Sequence, residues 1–474
     1  MLRSAQHKLS NFIGGRFEPP RSGAYLDDIN PSTEEVIAQI PDSDERDVDD
    51  AVQAAKQAFP AWSRTPAAER SKLLLKLADL IEQNLDELAR IEAMDSGKPL
   101  SLAKMLDIPR AVANFRFFAT AILHASSDAH ITDAAAINYT LRQPLGVVGL
   151  ISPWNLPLYL LSWKIAPAIA AGNACVAKPS EMTPLTANRL AELSLEAGIP
   201  PGVINIVHGV GNKAGRALTG HDDVAAISFT GGTVTGAGVA ANAAPRFKKL
   251  SLELGGKNPT LVFADADLDQ AIPTSLRAAF WNQGEICLCG SRVFVEQPIY
   301  QSFVDAFAGS AKKLKIEEDF GALISAAHRD KVMGYIELAQ QEGGTIVAGG
   351  RRVDRKGYFV EPTVITGLGP DCRVLQEEIF GPVVTITPFR DEAEAVRFAN
   401  STRYGLSASV WTRDLSRAHR VAAAIDSGTV WINCWLLRDL RVPFGGMKES
   451  GVGREGGFDS LDFFTEAKNV CVKL

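Results

Sequence analysis

Val147-Val148-Gly149-Leu150-Ile151 is an unbroken apolar run, and Ser152-Pro153-Trp154-Asn155-Leu156-Pro157 stops it with two prolines. A helical stretch, Leu158 to Ala171, follows, and then a second apolar run, Ala174 to Ala177. The alternation continues through a helix at Leu185 to Ala197, a strand at Val203 to Val207, a helical segment at Lys213 to Thr219 and a strand at Ala225 to Phe229. Strands that are apolar at nearly every position are buried on both faces, which requires a parallel sheet covered by helices. This part of the chain therefore reads as a βαβ series.

Working outward, a second series opens at Thr260-Leu261-Val262-Phe263, with helices at Leu268 to Trp281 and Ile299 to Leu314, and predicts a second α/β domain. Upstream, Ser43 to Phe59 has helical spacing with acids in its first turn, and Pro60 ends it. Thr65-Pro66 opens another helix as N-cap and first helical residue, with Leu73, Leu77 and Leu80 on one face. Gly97-Lys98-Pro99 breaks the chain before a long helix, Leu102 to Leu123, that carries Arg110 and Arg116. The tail, Phe463 to Leu474, alternates like a strand, and Ala136 to Leu141 is a candidate antiparallel partner.

The 474 residues amount to roughly three domains' worth of chain, and 46% hydrophobic and 22% charged residues with a net charge of −6 are the composition of a soluble globular protein. A mildly acidic chain with no Lys/Arg cluster offers no footprint for nucleic acid or for an anionic membrane. The opening Met1-Leu2-Arg3-Ser4-Ala5-Gln6-His7-Lys8 lacks the apolar core of a signal peptide, so a cytoplasmic location is expected. Six cysteines in so long a chain make no disulfide framework, and Cys287-Leu288-Cys289 without a second pair or a nearby His falls short of a structural zinc set; no metal is expected.

The chemistry concentrates in Phe280-Trp281-Asn282-Gln283-Gly284-Glu285-Ile286-Cys287-Leu288-Cys289-Gly290-Ser291-Arg292, a polar, Gly-containing loop between a helix end and a β-rich run. A cysteine there is displayed, and as a thiolate it attacks carbonyl carbon while loop N–H groups hold the resulting oxyanion; a small buried hydrophobe is the alternative. Upstream, Leu252-Glu253-Leu254-Gly255-Gly256-Lys257-Asn258 sets one carboxylate among apolar residues, which raises its pKa and suits it to general-base work. Phe229-Thr230-Gly231-Gly232-Thr233 is a strand end running through glycines into a helix, the kind of turn that cradles phosphate. Lys178-Pro179-Ser180-Glu181 closes another strand at the edge where α/β sheets bind ligands.

Together these stretches resemble the aldehyde dehydrogenase superfamily over nearly the whole chain. The resemblance implies an α/β fold with a Rossmann-type cofactor domain (1–125 and 146–252), an α/β catalytic domain (253–459) and a small β arm (126–145 and 460–474). That arm would pair with a neighbouring subunit in a homodimer or homotetramer. It implies Cys287 as nucleophile, Glu253 as general base and Asn155 as the side-chain oxyanion donor. NAD is the implied cofactor, bound by Ile151, Ser152, Pro153, Trp154, Lys178, Ser180, Glu181, Gly211, Phe229, Thr230, Gly231, Gly232, Thr233, Leu254, Glu378 and Phe380. Glu181 accepts hydrogen bonds from a free ribose 2′-hydroxyl and repels a 2′-phosphate, which favours NAD over NADP. Gly232 stands where relatives commonly carry serine, and the connection through Lys312 to Phe320 is shorter than theirs.

Within the superfamily, Asn155 to Lys164, Asp107 to Ala119 and Asn433 to Leu440 look most like the 2-aminomuconate/2-hydroxymuconate semialdehyde dehydrogenase branch. Arg110 and Arg438 match that branch's carboxylate-binding arginines, with Leu160, Trp163, Ile286, Leu288, Trp435 and Phe444 completing the substrate site. Structural ion pairs, Arg110 with Asp107 and Arg438 with Asp439, are the alternative. The implied reaction oxidises a carboxylate-bearing semialdehyde to an acid through a cysteine thiohemiacetal and thioester; a broad-specificity or retinal-oxidising aldehyde dehydrogenase is the competing reading. A cysteine hydrolase would pair Cys287 with a histidine, and none of the seven histidines lies in a recognised motif.

Overall fold

The computed structural model describes residues 8–474; the leader reading at the first residues lies outside them. Two sheets organise the chain. The first has five parallel strands at its centre, ordered Ile204–Ile206, Ala174–Lys178, Val147–Ile151, Val224–Thr230 and Lys249–Glu253. Asn11–Ile13 and Arg16–Glu18 extend one edge, and Gly451–Val452 closes the other, antiparallel to Leu252 and Glu253. The last strand lies within the segment read as catalytic domain, so that segment returns to complete the hydrogen bonding of the strand that ends in Glu253.

The apolar runs are buried on both faces, as their composition predicts. Val148, Leu150, Cys175 and Ala177 pack into one core, while Val147, Ile151, Ala174 and Val176 point into another on the opposite face. Each fully buried Val or Leu contributes about 1.5–3 kcal/mol, so both layers of helices are held by the same strands. The second sheet follows the order Thr345–Ala348, Thr363–Thr366, Val383–Phe389, Arg292–Glu296, Pro259–Val262, Ser407–Trp411 and Thr429–Ile432, parallel except at its first pair. A third, antiparallel sheet joins Thr465–Lys473 to Ala136–Pro144 and Ala129–Thr132, so the tail and its expected partner do pair.

Four local expectations are corrected. The first helix runs Glu45–Trp62 through Pro60, because a proline in the last turn forfeits little and Trp62 is anchored through Nε1 to the carbonyl of Ile169 at 3.1 Å. The next helix begins at Ala67 with Pro66 at the cap position, and Thr65 Oγ1 instead donates to Ala61 O at 3.1 Å. Its buried residues include Leu74, Leu77, Ala78, Leu80 and Ile81, so Leu77 and Leu80 face inward as expected while Leu73 is only half-buried. The long helix expected from Leu102 to Leu123 is interrupted: a wide π turn, Ala103–Asp107, precedes helix Ile108–Ala121. Such a turn re-aims side chains and recurs at functional sites.

The helix Leu268–Phe280 stops where Asn282 (φ 51°) and Gln283 (φ 55°) enter the left-handed region, and the chain then turns into the cysteine loop. The shortened connection forms an exposed turn closed by an Ile316–Phe320 bridge. Beyond it the chain is buried and tied to that loop, with Gly321 N donating to Gln283 Oε1 at 3.0 Å and Ile324 N to Glu285 Oε1 at 3.2 Å.

Candidate active site

Glu253 ends the last parallel strand of the first sheet and Pro259 begins a central strand of the second, so the residues between them cross from one sheet to the other. Two glycines make the crossing possible. A Cβ on Gly255 would sit 2.3 Å from Glu378 Oε2, and one on Gly256 would sit 2.7 Å from the carbonyl oxygen of Cys287. The space is taken up by polar contacts: Gly256 N donates to Glu378 Oε1 at 2.9 Å, and Asn258 Nδ2 donates to the carbonyls of Cys287 (2.7 Å) and Cys289 (2.9 Å). The strand crossing therefore splints the cysteine loop.

Cys287 and Glu253 line one narrow cavity of about 30 Å³ together with Leu160, Trp163, Ile286, Leu288, Arg438 and Phe444. Thr230 and Leu254 reach it from the first sheet. Cys289, two residues on, is buried among apolar side chains outside that lining. The expectation of a displayed thiolate is corrected. Cys287 is half-buried, and burial, followed by the charges of Glu253 and Glu378, pushes its thiol up to about 12, with Arg438 acting in the opposite sense. At neutral pH the thiol form dominates until something in the cavity stabilises negative charge.

Glu253 is buried, and neither of its carboxylate oxygens has a hydrogen-bond partner. Burial first, and then the nearby Glu455, hold its pKa well above the ordinary carboxylate range, opposed by Lys164, Arg438 and Arg454. Lys164 and Glu455 were missed by the sequence reading. They form a buried pair at 2.9 Å, with Ser228 Oγ donating to Glu455 at 2.9 Å. The single charged residue of helix Pro157–Ala170 was the available signal.

Asn155 lies in the loop after strand Val147–Ile151, and its Nδ2 donates one hydrogen to the carbonyl of Glu285 at 2.8 Å. That fixes the amide against the cysteine loop and leaves its second hydrogen uncommitted. Trp435 is corrected from a lining residue to a support: its indole N–H donates to Leu288 O at 2.9 Å and its ring meets Trp281, so it holds the loop from outside the cavity. Tyr159, Leu106, Leu156 and Leu436, unassigned from sequence, line the cavity instead. Leu106 comes from the π turn, which helical periodicity does not reveal.

The two arginines differ from the ion-pair alternative. Asp107 is taken by Lys98 at 2.8 Å and Asp439 by Arg441 at 2.6 Å. Among the described residues no carboxylate lies within 4.0 Å of Arg110 or Arg438, and two of the Arg110 nitrogens are buried without a hydrogen-bond partner. Each guanidinium instead stands over aromatic rings: Arg110 at 5.4 Å from Tyr159 and 5.9 Å from Trp163, Arg438 at 3.9 Å from Phe444 and 5.7 Å from Trp163. Stacking orients a guanidinium without consuming its hydrogen bonds.

On the other side, a cavity of about 1030 Å³ opens at the carboxyl ends of the parallel strands, lined by Ile151, Glu181, Gly211, Phe229 and Val239 among others. Lys178 is buried and its Nζ reaches Glu181 Oε2 at 3.2 Å. Ser152 Oγ and Thr230 Oγ1 are buried hydroxyls with no partner, and Gly232, at the start of helix Thr233–Ala243, has open space where a side chain would be. Orphaned donors beside a helix N-terminus and a large cleft fit a dinucleotide. Ser180 does not line the cleft; its Oγ accepts the amide of Met182 at 3.2 Å and braces the turn. Trp154 and Phe380 meet edge-to-face at 5.4 Å, with Phe380 in the left-handed region at φ 62°, while Pro153, next to Trp154 in sequence, is half-buried and Thr233 points Oγ1 at Glu449 O, 3.4 Å away.

Residues 17–470 match the model of the aldehyde dehydrogenase family. The chain is 53% identical to a 2-aminomuconic semialdehyde dehydrogenase of Danio rerio, over 98% of both chains. It is 47% identical to a 2-hydroxymuconic semialdehyde dehydrogenase of Pseudomonas sp. (strain CF600), covering 98% of this chain and all of that one. Among solved structures it is similar to an NAD+ complex of an aldehyde dehydrogenase from Bacillus cereus, with a TM-score of 0.97, 42% identity and coverage of 99% of this chain and 97% of that chain.

Proposed function

The chain belongs to the aldehyde dehydrogenase family, and on that premise we propose that it oxidises a carboxylate-bearing semialdehyde of the 2-aminomuconic or 2-hydroxymuconic type with NAD. The observation that carries the substrate class is a pair of guanidiniums without carboxylate partners, Arg438 in the lining of the catalytic cavity and Arg110 behind it over two of the lining rings, Tyr159 and Trp163, the neighbouring aspartates being already taken by Lys98 and Arg441. An orphaned guanidinium in a poorly solvated site is costly, and the planar carboxylate of a substrate satisfies it through two parallel hydrogen bonds.

In this reading Cys287 gives up its thiol proton to water as Sγ adds to the aldehyde carbon, and the oxygen, now carrying negative charge, is received by the Asn155 amide. NAD, when bound, supplies the hydride acceptor for the oxidation. Glu253, in its ionised form, then draws a proton from the water that attacks the resulting thioester; the C–S bond breaks, the acid leaves, and the proton passes from Glu253 to Sγ to restore the thiol. Ile151, Ser152, Phe229, Thr230 and the Gly231-Gly232-Thr233 turn would hold the dinucleotide, Lys178 and Glu181 its adenosine ribose, and Glu378 and Phe380 its nicotinamide end. The enzyme is read as a cytoplasmic homodimer or homotetramer. That assembly is supported by an arm of which Ile131 is 75% exposed and Leu474 63% exposed, and no described helix is long and apolar enough to cross a membrane.

The substrate test contrasts charge. Arg110→Ala and Arg438→Ala are each expected to cost about 2–4 kcal/mol in kcat/KM with the acidic semialdehyde, as losing a charge-assisted bidentate contact does, and little with a neutral aldehyde of similar length. Parallel losses on both substrates would favour the broad-specificity enzyme instead.

Glu181 sets the cofactor preference. Its carboxylate is half-buried beside Lys178, so Glu181→Gln removes a repulsion that Lys178 only partly offsets. The ratio of kcat/KM for NAD to that for NADP is expected to narrow about tenfold, or about 1.4 kcal/mol. Equal use of both cofactors by the unmodified enzyme would remove Glu181 as the discriminator.

A further inference from the structure

Lys98 follows Gly97, whose φ of 75° ends helix Leu85–Ser96 in the left-handed conformation and turns the lysine inward. Its side chain and that of Asp107 are both 0% exposed and meet at 2.8 Å. The same ammonium donates to the main-chain carbonyl of Asn155 at 3.0 Å. That carbonyl already has a donor, Asn282 Nδ2 at 3.1 Å, so a second one, and a charged one, is not needed to satisfy it. The Asn155 side chain is held at one point only: Nδ2 donates to Glu285 O at 2.8 Å, while Oδ1 is buried without a partner. The aim of the amide therefore depends on where its own backbone is pinned. The other end of the ion pair, Asp107, closes the π turn that places Leu106 in the catalytic cavity, one turn before Arg110.

A fully buried ion pair is a poor route to stability, because apolar residues of similar volume fill such a space without desolvating two charges. What this pair does that Met and Leu could not is fix two loops from distant parts of the chain to one point. We propose that Lys98 is a positioning residue that holds the Asn155 amide on the reacting oxygen and locks it to the π turn ahead of Arg110. The inference rests on the reading of Asn155 as the oxyanion donor.

A double-mutant cycle on the full-length enzyme with NAD tests it, reading the rate of the first-turnover burst with a neutral aldehyde. Lys98→Met leaves Asp107 a buried carboxylate beside the buried Glu92 with no cation between them and risks unfolding, so the paired Lys98→Met/Asp107→Leu variant, which removes both members of the ion pair, is measured as well. In the otherwise unmodified enzyme the paired variant is expected to slow the burst about tenfold or more with its melting temperature kept; with Asn155→Ala present, the same substitutions should change the rate by less than about twofold. A crystal structure of the paired variant should show the Asn155 amide turned from Glu285 O. An equal fold loss with and without Asn155, or an amide still in place, overturns the positioning role. An Asn155→Ala enzyme as fast as its parent overturns the oxyanion reading itself, and the positioning role with it.

Discussion

Cys287→Ser is expected to abolish aldehyde oxidation, by on the order of 10⁴-fold or more, while Cys289→Ser keeps most of it. The two residues differ by tertiary placement. Cys287 lines the cavity that Glu253 and Arg438 share, whereas Cys289 lies in the apolar cluster behind it, with a thiol that burial pushes up further still. A serine hydroxyl at Cys287 is a far weaker nucleophile and a poorer leaving group. Because the Cys287 thiol is pushed up to about 12, alkylation by iodoacetamide in the absence of cofactor should be slow at neutral pH and quicken as the pH rises. Mass spectrometry of the trapped acyl-enzyme should place the adduct on Cys287. An adduct on Cys289 would reverse the assignment.

Glu253→Ala should leave the first turnover intact and stall everything after it. The base acts on water once the thioester exists, so about one equivalent of reduced cofactor should form in a burst, with steady turnover about 10²–10⁴-fold lower. Loss of the burst together with turnover would show that the carboxylate is needed before the redox step. The same residue carries a stability prediction of definite sign. A carboxyl whose pKa is raised on folding binds its proton more tightly in the native state, so its contribution is favourable below the unfolded value and is lost as pH rises through the folded one. At neutral pH the native protein holds an unpartnered buried carboxyl at a cost, and Glu253→Gln should melt no lower than the parent. A marked fall in Tm would mean that Glu253 serves the fold rather than the reaction.

The short motifs were legible because their chemistry is local. A glycine pair followed by lysine, a glutamate among apolar residues and a cysteine in a polar loop each carry their meaning within a few residues. The glycine pair earns its place only in three dimensions, where Cβ atoms would collide with Glu378 and the Cys287 carbonyl. Helix limits were less legible at Pro60, Pro66 and the π turn Ala103–Asp107, where proline position and a change of turn width outweigh hydrophobic spacing. Leu106 and Tyr159 were missed for that reason, and because a lining residue looks like any other apolar one in sequence.

By itself the sequence determined the parallel sheets, since strands without polar positions must be covered on both faces, and it offered Cys287, Glu253 and Asn155 as candidates for the reaction. Only the tertiary structure decided how the charges are shared. Arg110 is three residues from Asp107 and Arg438 adjoins Asp439, so each looks pairable along the chain; folding gives Asp107 to Lys98 and Asp439 to Arg441 and leaves both guanidiniums over aromatic rings. Ion pairing in a dry interior is settled by competition among all cations within reach, and reach is a property of the fold. For the same reason the Cys287 thiol, read from its loop as exposed and ionised, is held protonated by burial and by two carboxylates that lie close to it only once the sheets have packed.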